Sequence, residues 1–416
     1  MFSAHRRSMH ALHSQTSSVD EESAKDVKDV KDANSTKELS TTSVPSERQT
    51  RWTRRRIIFF AGLAFLVSVL VALIVALPIV LRRQHRGFQS PIPNDSGISD
   101  DPTNLGNGGP LRPSDLAQPV LAVNNFPDPG LLEYNGTWYA FGTNQKGQKR
   151  VHIPIATSKD FIKWTLMGED ALPVVGPWEL EINHWAPDVI RRDDGRFVLY
   201  YSGQVKGFGT HHCVGVAVSN GTSPLGPYNP EDQPLACPRE YGGAIDPSPF
   251  RDVDGKLYVT YKSDGNSVGH GGNCNNGIAP LVHTPIMLQE MENDGVTPVG
   301  DPIEILDITP SDGPLVEAPR IIRTKEGIYV LTFSSHCDTS PQYDVKYATS
   351  TSVKGPYQRA PKPLLQTGDY NLVSPGGASI SRDGTKMVFH ANCGIYRCMY
   401  ASAVNITHTT IDFIAL

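Results

Sequence analysis

Two hydrophobic patterns stand out against a polar background along this chain. The first is one continuous block: the stretch from Ile57 to Leu81 carries no charge and is interrupted by Gly62, Ser68 and Pro78. A helix of that length crosses a hydrocarbon core of roughly 30 Å. A cleavable signal peptide would be shorter and nearer the start, whereas this block begins only at Ile57. The second pattern is a set of short apolar runs separated by polar turns, and it recurs five times, from starts at 128, 188, 246, 317 and 374. Each copy opens on a small, Pro-containing turn and runs through an apolar strand. It then turns at Asn135-Gly136, Asp194-Gly195, Asp254-Gly255, Glu326-Gly327 or Asp383-Gly384 and returns as an aromatic and β-branched strand. These are hairpins with glycine at the turn.

A second half-motif follows each hairpin: Ile155-Ala-Thr-Ser, Val216-Ala-Val-Ser, Ile286-Met-Leu, Tyr347-Ala-Thr-Ser and Tyr400-Ala-Ser. Copies two and four continue to Gly226-Pro-Tyr and Gly355-Pro-Tyr, so each unit has room for four strands. Four strands repeated at those five starts describe the blades of a propeller. A β-sandwich would show strands without that long period. The fold expected is all-β, a five-bladed β-propeller over 116–416, preceded by a disordered tail and one transmembrane helix.

The flanks differ in kind. Residues 1–56 are rich in Ser, Thr, Lys, Asp and Glu and include the mixed-charge run from Lys25 to Asp32, too polar to offset the entropy of ordering. The transmembrane helix takes 57–81. Residues 82–115 follow it as a stalk, flexible where Pro, Asn, Asp, Gly and Ser dominate.

Composition and charge refine this picture. Lys and Arg number 38 against 43 Asp and Glu, a net charge of -5, so nothing marks a nucleic-acid partner. Arginines 48, 51, 54, 55 and 56 lie before the span, and Arg82, Arg83 and Arg86 after it. The bias puts the N-terminus in the cytoplasm. The expected protein is a single-pass type II membrane protein whose propeller, a monomer, is extracellular or lumenal. Sequons at Asn94, Asn135, Asn220 and Asn405 should then carry glycans and Asn34 should stay bare. All six cysteines fall after position 210, on the oxidising side. In blades that start on one face, the loops after strands two and four return to that face. Of the 15 possible connectivities, the one expected from this layout pairs Cys213 with Cys237, Cys274 with Cys337 and Cys393 with Cys398.

Three of the five leading turns carry an acid: Asp128, Asp246 and Glu317. Blades one and four of five stand roughly 144° apart about the axis, so Asp128 and Glu317 should face one another, with Asp246 beside Glu317. A facing pair with water between suits glycoside hydrolysis by inversion. A flanking carboxylate would keep Glu317 protonated. Asp193, Asp194, Asp252, Asp254 and Asp383 sit beside hairpin glycines and read as turn residues. Asp188, two positions later than the leading acids, reads as a tie for its turn.

Four blocks carry a resemblance: Asn125-Phe-Pro-Asp128-Pro-Gly, Trp185-Ala-Pro-Asp188-Val, Ala244-Ile-Asp246-Pro-Ser and Val316-Glu317-Ala-Pro. In this order they resemble the signature blocks of glycoside hydrolase family 43. Those are inverting five-bladed propellers acting on α-L-arabinofuranosides, arabinans and β-xylosides, and the likeness spans about 120 to 416. It implies a general base at Asp128, a general acid at Glu317, and Asp246 tuning and orienting that acid. It also implies Trp185 as a wall for a pentose ring and His390 as a residue facing an ion, often calcium. The chemistry itself requires no cofactor. In the block Ser374-Pro-Gly-Gly377 a histidine common in the family is missing. Arg320 and Arg397 are candidates for contacts to sugar hydroxyls. The expected enzyme cleaves arabinose- or xylose-containing carbohydrates. The alternatives are a non-catalytic carbohydrate-binding propeller at the membrane surface and a retaining enzyme for fructosides.

Overall fold

The computed structural model describes residues 118–121, 125–144 and 151–416. The tail, the apolar block at 57–81 and the stalk lie outside them. Among the described residues no helix is long and apolar enough to cross a membrane.

Among the described residues, twenty strands form five four-stranded antiparallel sheets, each in simple sequence order. Blade one holds β1 (Gly130–Tyr134), β2 (Thr137–Phe141), β3 (Pro154–Ser158) and β4 (Thr165–Asp170). Blade two holds β5 (Trp185–Arg191), β6 (Phe197–Gln204), β7 (His212–Ser219) and β8 (Tyr228–Pro230). Blade three holds β9 (Ala244–Arg251), β10 (Leu257–Ser263), β11 (Ile286–Met291) and β12 (Pro298–Leu306). Blade four holds β13 (Val316–Arg323), β14 (Tyr329–Ser335), β15 (Asp344–Ser350) and β16 (Gln358–Arg359). Blade five holds β17 (Gly376–Ile380), β18 (Lys386–Cys393), β19 (Tyr396–Thr407) and β20 (Thr410–Ile414). The expected hairpin glycines fall between the first two strands of each blade, and the second half-motifs fall in each third strand.

The core lies between blades. Phe197, Leu199 and Tyr201 pack with Leu132, Phe141 and Ile155 of blade one, while Val198 and Tyr200 of the same strand pack with Leu257 and Val259 of blade three. Both faces of β6 are therefore buried, which explains why its apolar run does not alternate. The ring closes through the segment before β1: Val120 N–H donates to Met399 O at 2.9 Å and Phe126 N–H to Arg397 O at 2.8 Å. All three expected disulfides are present, 213–237, 274–337 and 393–398.

Candidate active site

The innermost strands of all five blades surround one small axial cavity. At the upper end of each, one residue takes a left-handed backbone: Asp128 (φ 53°), Ala186 (44°), Asp246 (58°), Ala318 (53°) and Gly377 (57°). Non-glycine residues hold such angles at a cost of about 1–3 kcal/mol each, and only where the surroundings fix them. Here each amide has a partner. Ala186 N–H donates to Thr143 Oγ1, Asp246 N–H to Ser202 Oγ and Gly377 N–H to Ser334 Oγ, at 2.9, 2.9 and 3.0 Å. Asp128 N–H donates to His390 Nδ1 at 3.2 Å. Every acceptor in these four comes from the second strand of the preceding blade or just beyond it.

The third junction breaks the rule. Lys262 stands where the others have a hydroxyl or His390, and Ala318 N–H turns instead to Asp246 Oδ2 at 2.9 Å. The lysine is fully buried, and its Nζ lies 3.1 Å from both Asp264 Oδ1 and Glu317 Oε2. Burial opposes its charge, but the acids around it outweigh burial and hold the ammonium above its usual range. Glu317 also accepts from the Tyr343 hydroxyl at 2.8 Å.

The repeat pattern sets Glu317 level with Asp128 and Asp246. In the structure it lies one residue earlier in its turn, level with Trp185, because Ala318 takes the left-handed position. Asp128 accepts from Thr143 Oγ1 at 2.7 Å and from Arg397 Nη1 at 3.2 Å. Burial pushes its carboxyl up, yet the Arg397 charge, with the Thr143 hydroxyl, holds it well below the usual range. Asp246 is moved the other way, far up, by burial and then by the Glu317 charge. Glu317 is also raised; burial leads, Lys262 opposes it and Asp338 adds to it. Asp128 is thus favoured in its ionised form, while Asp246 and Glu317 are both pushed toward holding a proton.

The remaining expected residues divide. Arg397 sits in the site, between Asp128 and Asp338 at 3.2 and 3.9 Å. Arg320 lies one layer down the channel, bonded at 2.5 Å to Asp188, which also accepts from Ser248 Oγ at 2.9 Å. Trp185 is half-buried and stacked on His212, centroids 3.6 Å apart. Burial lowers the His212 pKa to about 4, so the indole rests on a neutral ring.

His390 is fully buried, and burial lowers its pKa. An amide always carries its proton, so Nδ1 is the acceptor and Nε2 holds the ring proton, without a partner among the described residues. Calcium takes 6–8 oxygens, and its nearest carboxylate here is already held by Arg397. Among the described residues the one group of three ligand-type side chains is Cys274, Cys337 and Asp338, where the sulfurs are bonded to each other. These residues do not form a calcium cage, and an ion beside His390 would rest chiefly on water. A Cβ on Gly377 would stand 2.7 Å from His390 Nδ1 and 3.0 Å from Asp128 Oδ1, so no side chain fits there.

Thr143, Lys262, Asp338 and Tyr343 join the site without being foreseen from the repeat. Lys262 alone left a signal, as a lone cation in the apolar run Leu257-Tyr-Val-Thr-Tyr-Lys262.

Several known proteins are similar to this chain in sequence and fold. The family model described as "Glycosyl hydrolases family 43" matches residues 116–409. An extracellular endo-α-(1→5)-L-arabinanase of Bacillus subtilis is 26% identical over 281 residues, covering 64% of this chain and 79% of the relative. A β-D-galactofuranosidase of Aspergillus niger is 28% identical over 268 residues, covering 61% and 69%. Among solved structures, a thermostable family-43 glycoside hydrolase superposes with a TM-score of 0.60 at 25% identity, covering 71% of this chain and 94% of that one.

Proposed function

This chain belongs to glycosyl hydrolases family 43, and from that membership we propose an inverting hydrolase for arabinose- or xylose-containing carbohydrates, with Asp128 as base and Glu317 as acid. The observation that carries this reading is the opposed tuning of the carboxyls: Asp128 is held ionised while the Asp246–Glu317 pair is pushed up. An inverting hydrolase needs that division, one group to take a proton from water and one to give a proton to the leaving oxygen.

Asp128, oriented by Arg397 and Thr143, removes a proton from a water molecule as it attacks the anomeric carbon. Glu317 delivers the proton held by its pair to the departing oxygen. The carboxylate left behind accepts from Lys262 and Tyr343, which are already in place at 3.1 and 2.8 Å. Asp246 orients the turn of Glu317 through Ala318 N–H. Trp185 offers an apolar wall for the sugar ring.

The intact set of three acids speaks against a purely carbohydrate-binding propeller. A panel of nitrophenyl arabinofuranosides, xylosides and galactosides tests this, followed by proton NMR of the first product. The expected result is hydrolysis with inverted anomeric configuration. Retention would overturn Asp128 as base, and no turnover across the panel would favour the binding module. We further propose that the block at 57–81 anchors the enzyme as a type II membrane protein, on the strength of its unbroken uncharged length.

A further inference from the structure

The fivefold repeat carries a second pattern, at the end of the channel away from the carboxylates. Five positions beyond the left-handed residue of each blade stand Glu133, Arg191, Arg251, Arg323 and Arg382. Four of five blades thus deliver an arginine to the same level of the lower mouth. Packing does not ask for this, since guanidinium groups on one ring repel each other.

Arg323 is paired with Asp252 at 3.8 Å, whereas the other three are not neutralised by their partners. Arg382 has no hydrogen bond or ion pair among the described residues, and it remains open to solvent. Arg251 and Arg320 line one cavity with it, so these three charges converge. Arg251 donates through Nη1 to Gly255 O and Asn293 Oδ1, but its buried Nη2 has no partner and its nearest acid, Asp193, is 3.9 Å away and 76% exposed. Arg191 lies over the Tyr134 ring without an acid. Asp188, the buried carboxylate above them, is taken by Arg320. Glu133 accepts from Gly136 N–H in its own turn, and Asp383 is bound by Ser381 and Thr385. Arg191, Arg251 and Arg382 together line a cavity of about 760 Å³. That lies within the roughly 300–1,000 Å³ range of small-molecule sites.

We propose that this lower mouth is an oxyanion-binding site in which Arg191, Arg251 and Arg382 take a phosphate or sulfate group, free or carried as an ester on a sugar. Guanidinium forks match tetrahedral oxyanions in pairs of parallel hydrogen bonds. The ligand would bridge blades two, three and five and relieve the unpaired charge. The site is distinct from the glycosidase site and goes beyond the proposed reaction.

Isothermal titration of the detergent-solubilised full chain tests it, using inorganic phosphate, inorganic sulfate and glucose 6-phosphate at constant ionic strength. Saturable binding is expected. In Arg382→Gln the affinity should fall at least tenfold while glycosidase turnover is unchanged. Glu133→Gln should tighten binding, because the one negative member of the ring is removed. Tighter binding of glucose 6-phosphate than of phosphate would assign the ester as the ligand, and the reverse would assign the free anion. Absence of saturable heat with all three anions, or equal affinities in wild type and Arg382→Gln, would overturn the proposal.

Discussion

Arg397 donates to the carboxylate proposed as base, so its loss has a definite sign. Without that charge Asp128 binds its proton at higher pH, and the acidic limb of the kcat/KM profile should move up in Arg397→Gln. On the basic side two substitutions should act in opposite directions. Asp246→Asn removes a like charge from the pair, so the limb moves down; Lys262→Met removes the cation that favours ionised Glu317, so the limb moves up. Limbs unmoved in both variants would remove Glu317 from the role of acid. Glu317→Gln should lower turnover of poor leaving groups by about 10²–10⁴-fold and spare activated aryl glycosides, which need less protonation. Asp128→Asn should slow both alike. The acids themselves were legible because Asp128, Asp246 and Glu317 open repeated turns. Their tuning was not: Thr143, Lys262 and His390 reach the next blade's turn across an inter-blade contact that no single blade's sequence reveals. Arg320 shows the same limit, since its bond to Asp188 depends on which layer of the channel each strand delivers.

At the scale of elements, hairpins and period were readable because both faces of a blade strand are buried and the glycine turns recur. The level of Glu317 was harder, because a left-handed residue shifts the register of its turn by one and leaves no mark in composition. β16, two residues long, likewise depends on its neighbours rather than on its own sequence. Disulfides act at this scale too. Cys274 of blade three joins Cys337 of blade four across 63 residues of sequence. Loop closure of that length corresponds to about 4 kcal/mol of stability. The double variant Cys274→Ser/Cys337→Ser should unfold at clearly lower denaturant; an unchanged midpoint would show that blade packing alone sets stability. The Cys393–Cys398 bridge staples the hairpin that carries Arg397, next to Ile395, which is 90% exposed. Opening it should lower kcat/KM more than it lowers stability, because the freed hairpin no longer holds the guanidinium on Asp128.

For the whole molecule, the side of the membrane that the propeller occupies can be tested from its surface. Asn135, Asn220 and Asn405 are all exposed. Asn135 forms the β1–β2 turn, Asn220 follows β7 and Asn405 stands near the end of β19, so all three lie toward the end of the propeller away from the carboxylates. Glycans there would leave the upper mouth open to a carbohydrate chain. A glycan is added only in the secretory pathway, the same compartment that allows three disulfides to persist. In the type II orientation proposed from the block at 57–81, endoglycosidase should therefore increase the gel mobility of the full chain. Asn→Gln changes at 135, 220 and 405 should each remove part of that shift. Asn34→Gln should not alter it, because the tail before Ile57 would stay in the cytoplasm. Protease added to sealed microsomes should likewise spare the propeller, while protease outside intact cells should cut the stalk if the protein reaches the surface. A glycan on Asn34, or a propeller without glycans and with free thiols in the native cell, would place the catalytic domain on the cytoplasmic side and reverse the orientation.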